Sequence, residues 1–155
     1  MRSWWLGIFC CLAGIAFAAD TTAMDKKTVE TFLADMDRAM SSRDTASLEK
    51  MFDEKIRLTL TITEKGEGEV KVMTRENWLT WLGQHWEGAG ALRYRRTETK
   101  YDGIGGNRAV VRIKASAAHE GSGKKGAITF SMRYFIELNE GRIAVTSGTG
   151  VVGAG

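Results

Sequence analysis

The chain has 155 residues, of which 43% are hydrophobic and 26% charged, and a formal charge of +3. Such values exclude a disordered chain, and the length suits one domain built around one core. Charge so nearly balanced, with no basic block, also argues against nucleic acid as a partner.

The first eighteen residues have the pattern of a secretory signal peptide. Arg2 is the only charge before Asp20, an apolar run extends from Trp4 to Ala18, and Ala16 and Ala18 supply an A-x-A cleavage site. The run is short for a membrane span, which leaves an uncleaved anchor as the lesser alternative, and a lipoprotein at Cys10 or Cys11 ranks below it because neither is preceded by the expected leucine and small residues. Cleavage after Ala18 leaves residues 19–155 as a single domain in the periplasm or outside the cell, with no stable membrane insertion. Cys10 and Cys11 are the only cysteines and depart with the segment, so the mature chain has no disulfide and no thiol nucleophile. One arginine and no acid go with them, taking the formal charge from +3 to +2.

From Asp25 to about Ser42, Val29, Phe32, Leu33, Met36, Ala39 and Met40 recur at steps of three and four. That spacing makes one apolar stripe on a helix, with Asp25 as its N-cap. The other face carries Lys26, Lys27, Glu30, Asp35 and Arg38 and reads as solvated. Arg43-Asp44-Thr45 interrupts the pattern, and Leu48, Met51 and Phe52 mark a short second helix.

The period then changes to two. Ile56, Leu58, Leu60 and Ile62 alternate with Arg57, Thr59, Thr61 and Thr63, which predicts a half-buried strand. A glycine-bearing turn over 64–68 leads back through Val70 and Val72. Thr74 N-caps a third helix from Arg75 to about Glu87, in which Trp78, Trp81, Leu82 and Trp86 form an aromatic stripe, and Gly88-Ala89-Gly90 ends it.

Four antiparallel strands complete the chain. The first runs from Leu92 to about Tyr101. After it, apolar residues fall at every second position in Ala109 to Ala117, in Ile128 to Leu138, and in Ile143 and Val145. With proline absent and 18 glycines, the turns between them fall to glycine and to Asn/Asp chemistry. A sheet that is dry on one face needs a cover, and the first and third helices supply it.

This order, together with the run from Arg43 to Phe52 leading into a strand, resembles the nuclear transport factor 2-like superfamily over about residues 25 to 152. That group includes SnoaL-like cyclases, ketosteroid isomerases, scytalone dehydratase and binding modules without catalysis. The resemblance implies an α+β cone, in which a curved antiparallel sheet wraps around the long N-terminal helix and a pocket lies between them. It implies no single activity. The isomerase chemistry needs a carboxylate base, a tyrosine and a protonated acid. Those roles fall here at Leu60, at Met36, and at Met132 or Arg133, so a steroid-isomerase mechanism is not expected.

Alternation along the strands points Leu92, Tyr94, Arg96 and Glu98 inward, with Ala115, Ala117 and His119, then Met132 and Tyr134, then Ser147 and Thr149. The candidate ligand-binding residues are therefore Trp81, Tyr94, Arg96, Glu98 and Tyr134. An inward guanidinium at Arg96 needs either Glu98 as its partner or an anionic ligand, for which a carboxylate is the bidentate match. His119 is the candidate general acid or base, against the alternative that it caps the sheet edge. His85 reads as a helix-surface residue beside Trp86. The tryptophan stripe can serve as core or as an aromatic wall for a flat ligand.

Arg112 and Arg133 fall on the outer face with Arg93 and Arg95, where they suit either cross-strand pairing or a homodimer interface. No His/Asp/Glu/Cys cluster has metal-ligand spacing, and no glycine-rich turn opens a helix to cradle phosphate, so no metal or other cofactor is expected. The expectation is an exported protein that binds a small, partly apolar molecule, anionic if Arg96 lacks an acid partner. Its rivals are a cyclase- or dehydratase-type enzyme using His119 and a dimeric interaction module such as an immunity or assembly factor. Whether any reaction is catalysed stays open at this point.

Overall fold

The computed structural model describes residues 23–87, 91–120 and 127–154, with the backbone only for 91, 92, 119 and 120. The signal-peptide segment, the Gly88-Ala89-Gly90 stop and the turn over 121–126 lie outside the described residues. Helix α1 spans Lys26–Ser42. Asp25 caps it by accepting from the Thr28 N–H at 2.7 Å, and Arg43 ends it in the left-handed region at φ 57°. The six stripe residues are buried, which ties the 3.6-residue period to the packing. Helix α2, Thr45–Met51, is capped by Asp44 and runs straight into strand β1, Phe52–Glu64.

Strand β2, Glu67–Met73, folds back on β1, and helix α3, Arg75–Trp86, follows from its Thr74 cap. Strands β3 (Ala91–Gly105), β4 (Arg108–Glu120), β5 (Ala127–Asn139) and β6 (Arg142–Ala154) then form a meander. The six strands make one curved, unclosed sheet in the order β2-β1-β6-β5-β4-β3. Every pairing is antiparallel except β1 with β6, where the first and last strands of the chain meet in parallel. That parallel joint is not visible in the hydrophobic pattern. It places β1 between β2 and β6, with α3 packed against it.

The inner face and the helices share one core. Val29, Leu48, Leu58, Leu60, Leu82, Ile136 and Val145 are all fully buried, and each such side chain contributes ~1.5–3 kcal/mol. No polar or charged residue among the described residues is fully buried.

Three one-residue bulges break the simple alternation. Two lie in β3, at Thr97 and Asp102, and one lies in β6, at Thr146. The β6 bulge corrects the expectation that Ser147 and Thr149 point inward. Beyond Thr146 the inward positions are Gly148, Gly150 and Val152, opposite Tyr134, Met132 and Phe130, and Thr149 is exposed. Glycine is required at two of these. A Cβ on Gly150 would sit 2.5 Å from Met132 Sδ, and one on Gly148 would sit 2.9 Å from Leu58 Cδ2.

Candidate functional site

The groups with chemistry gather where α1 crosses β3. Glu30 and Asp37 are seven residues apart, two helical turns, and so share one flank of α1. Arg96 on β3 reaches both. Its Nε donates to Asp37 Oδ2 at 2.8 Å and its guanidinium nitrogens donate to the two Glu30 oxygens at 2.7 and 3.3 Å. It also donates to Thr99 Oγ1, and the Tyr101 hydroxyl donates to Glu30 at 2.6 Å. The bulge at Thr97 makes this possible, because it lets Arg96 and then Thr99 and Tyr101 all face the helix. The result is a clasp that holds the edge strand to α1.

Electrostatics in the clasp follow burial. Desolvation raises the Asp37 carboxyl above its ordinary value despite the Arg96 hydrogen bond. Glu30 is half exposed, and its hydrogen bond from Arg96 lowers it instead. Burial works against the charged form of Arg96, but the hydrogen bonds to Glu30 and Asp37 outweigh it and raise its pKa. Tyr101 is pushed up to about 12 by desolvation and by its bond to Glu30.

Behind the clasp stands a run of rings. Tyr94 packs 6.0 Å from Phe130, Phe130 lies edge-on to Trp78 at 6.4 Å, and Trp78 stacks on Trp81 at 5.4 Å. Tyr134 meets the edge of Phe52 at 6.3 Å and is only 4% exposed. No described residue hydrogen-bonds the hydroxyl of Tyr94 or of Tyr134. Desolvation raises both phenols, and the Asp37 charge raises them further. The phenols of buried Tyr134 and half-buried Tyr94 and the partly desolvated Asp37 carboxyl thus belong to one electrostatic neighbourhood lined by aromatic rings.

Of the residues singled out in the sequence, Tyr94 and Tyr134 lie within electrostatic reach of each other and of Asp37, the partner of Arg96. The structure corrects the inward placement of Glu98. The Thr97 bulge turns Glu98 to the outer face, where it pairs with Lys100 and Lys114 at 2.9 Å each. The partners of Arg96 are Glu30 and Asp37, so the demand for an anionic ligand disappears, and Glu30 is not simply solvated.

Trp81 is 8% exposed and held between Trp78 and His85, whose ring stacks on it at 3.8 Å. A ligand could meet only its edge. His85 is correspondingly not a free surface residue, since its Nδ1 lies 2.8 Å from the Trp81 carbonyl and its Nε2 lies 3.5 Å from Glu64. The His119 backbone pairs with Leu92, and its side chain lies outside the described residues. Arg112 and Arg133 do face outward, both engaging Asp102, at 2.7 and 3.3 Å.

Asp37 was missed at the sequence level. Its signal is the seven-residue spacing from Glu30 on the border of the apolar stripe. Among the described residues no group of three His, Cys, Asp or Glu side chains could hold a metal ion, and no helix is long and apolar enough to cross a membrane.

No protein-family model matches the sequence, and no curated protein matches it significantly. Solved structures do resemble it. An NTF2-like protein from Cytophaga hutchinsonii is 18% identical and superposes with a TM-score of 0.61 over 83% of this chain and 98% of that one. The beta subunit of benzoate 1,2-dioxygenase from Burkholderia mallei is 11% identical, with a TM-score of 0.65 over 83% and 91% of the two chains. A hexachlorocyclohexane dehydrochlorinase is 12% identical, with a TM-score of 0.56 over 80% and 82%. Six strands in this order, curved over a long leading helix, and these superpositions give one conclusion: the chain has the nuclear transport factor 2-like fold.

Proposed function

We propose that the protein is exported and binds a small, largely apolar, uncharged molecule between α1 and the inner face of the sheet. Tyr94, Tyr134 and the Asp37 carboxyl orient the ligand, and the rings of Phe52, Phe130 and Trp78 supply its apolar surroundings. Export is supported by the signal-peptide pattern of residues 1–18.

The observation that carries the binding reading is the Tyr134 hydroxyl. It belongs to a residue 4% exposed, and no described residue offers it a hydrogen bond. A hydroxyl with so little access to water stands to gain ~0.5–1.5 kcal/mol from a hydrogen bond to a ligand carbonyl or hydroxyl. The pairing of Arg96 with Glu30 and Asp37 favours a neutral ligand over an anion, because one guanidinium already faces two carboxylates. The fold does not choose an activity by itself, since it is shared by a dehydrochlorinase and by a dioxygenase subunit.

The test is a thermal-shift screen of small phenols, ketones and lactones against the wild type and Tyr134→Phe. A ligand that raises the wild-type melting midpoint should lose most of that effect in the variant, which retains the ring but not the hydroxyl. An equal response in both would remove Tyr134 from the site and with it the basis of the reading. The N-terminal mass of the protein recovered outside the cytoplasm checks export, with cleavage after Ala18 expected.

A further inference from the structure

The outer face of the sheet carries an arrangement that the interior does not explain. Register places Lys100, Arg112 and Arg133 directly opposite one another on β3, β4 and β5, in a row that continues through the uncharged Thr149 of β6 and Thr59 of β1. Like charges set opposite across strands destabilise a sheet, so such a row calls for a compensating charge. Lys114 stands in the next row, between Glu98 and Ser131.

Two carboxylates compensate in part. Asp102 takes Arg112 at 2.7 Å and Arg133 at 3.3 Å, while Glu98 takes Lys100 and Lys114 at 2.9 Å each. Each acid therefore serves two cations, and four cations against two acids leave an excess of two positive charges. The depth of that field shows on the acids themselves. Hydrogen bonds from Lys100 and Lys114 pull Glu98 down to about 2, and Arg112 holds Asp102 below its ordinary value.

The surface between these residues is concave. A cleft of about 270 Å³ is lined by Glu98, Lys100, Arg112, Lys114, Arg133 and the hydroxyl-bearing Ser131 and Thr149. Its cations come from three strands around one volume, and although Asp102 takes the Nε and Nη2 of Arg112 at 2.9 and 2.7 Å and the Nε of Arg133 at 3.3 Å, each guanidinium keeps further N–H donors for an oxyanion. The cleft is compact rather than an extended basic stripe, so it suits a small molecule better than a nucleic acid chain.

We propose that this cleft on the outer sheet face is an anion-binding site that takes a compact, doubly charged oxyanion, a phosphate or a dicarboxylate. Arg112 and Arg133 grip the oxyanion, Lys100 and Lys114 flank it, and the hydroxyls of Ser131 and Thr149 donate to it. The site is independent of the aromatic interior, and its ligand is opposite in character.

The experiment is a titration of the purified protein with inorganic phosphate and, separately, with succinate, each at an ionic strength held constant with sodium chloride. A saturable rise in melting midpoint is expected for at least one of them, and the responding probe identifies the ligand chemistry. Arg112→Gln and Arg133→Gln should each weaken the apparent affinity roughly tenfold or more, the scale of a lost charge-assisted hydrogen bond. Arg57→Gln, on the outer face of β1 away from the cleft, should leave it unchanged. Thr149→Asp places a carboxylate directly across from Arg133 without removing any cation; it should raise the midpoint in the absence of anion and abolish the response. A rise no larger than sodium chloride gives, or one that survives in Arg112→Gln and Thr149→Asp, overturns the proposal.

Discussion

Arg96 and Glu98 are two residues apart on β3, yet they belong to opposite electrostatic worlds. Arg96 faces α1, where one guanidinium serves two carboxylates in a largely desolvated clasp. Glu98 faces solvent, where two carboxylates serve four cations. The desolvated Asp37 therefore shifts opposite to the exposed acids, including its half-exposed neighbour Glu30. Burial raises Asp37 even beside its arginine, whereas cations lower Glu98 and Asp102 in the open. The lesson is that the sign of the shift follows solvent access first and charge count second. The neutral ligand proposed for the inner face and the anion proposed for the outer one follow from that contrast, and a single bulge at Thr97 separates Arg96 from Glu98.

The largest effect should come from breaking the clasp. Arg96→Met leaves Glu30 and Asp37 without their shared cation, and a half-buried carboxylate then has no counter-charge. A loss of about 2 kcal/mol is expected in urea unfolding, less than for a fully buried pair because Glu30 is half exposed. Arg112→Met on the outer face removes an exposed pair and should fall within the error of the same measurement. Equal losses in the two variants would show that the clasp is no more desolvated than the surface, and the contrast between the faces would fail.

The pH dependence should separate the faces next. Glu98 titrates at about 2 in the folded chain against 4.5 ordinarily, so the unfolded chain binds the proton first as pH falls. Its contribution to stability is present above about pH 4.5 and lost as pH drops toward 2. Asp37 has the opposite sign, because its folded pKa lies above the ordinary 3.8 and the folded chain takes the proton first. Its contribution grows as pH falls from the raised value to 3.8. Glu98→Gln should therefore flatten the acid limb of the stability profile and Asp37→Asn should steepen it. Changes of the same sign in both variants would refute the assignment.

The same contrast shows what the sequence could and could not reveal. The helices were legible because α1 repeats its apolar set at 3.6 residues and carries a cap at Asp25 that the structure confirms. The strands were legible because β4 and β5 alternate without interruption. What failed was extrapolation along β3 and β6. A bulge adds one residue and reverses every later side chain, and nothing in the local composition marks Thr97 or Thr146 as the extra one. Glu98 and Thr149 were both misplaced for this single reason. Asp37 failed differently. It lies next to Met36 on a helix flank, and its role is created by a partner 59 residues away in sequence. Periodicity reports which way a residue faces, but it does not report what arrives there from another element.

The smallest effect is the most discriminating for the interior. Tyr101 and Tyr134 both face α1 from the sheet, but the Tyr101 hydroxyl donates to Glu30 at 2.6 Å and the Tyr134 hydroxyl has no described partner. Removing the first should cost about 1 kcal/mol, because it deletes a hydrogen bond to a charged but solvent-accessible oxygen. Removing the second without ligand should cost close to nothing, because no hydrogen bond within the described residues is lost. Tyr101→Phe and Tyr134→Phe keep ring and packing, so any difference between them in urea unfolding belongs to the hydroxyls. A Tyr134→Phe loss as large as that of Tyr101→Phe would mean that the Tyr134 hydroxyl is already satisfied within the protein. A ligand would then gain nothing by reaching it.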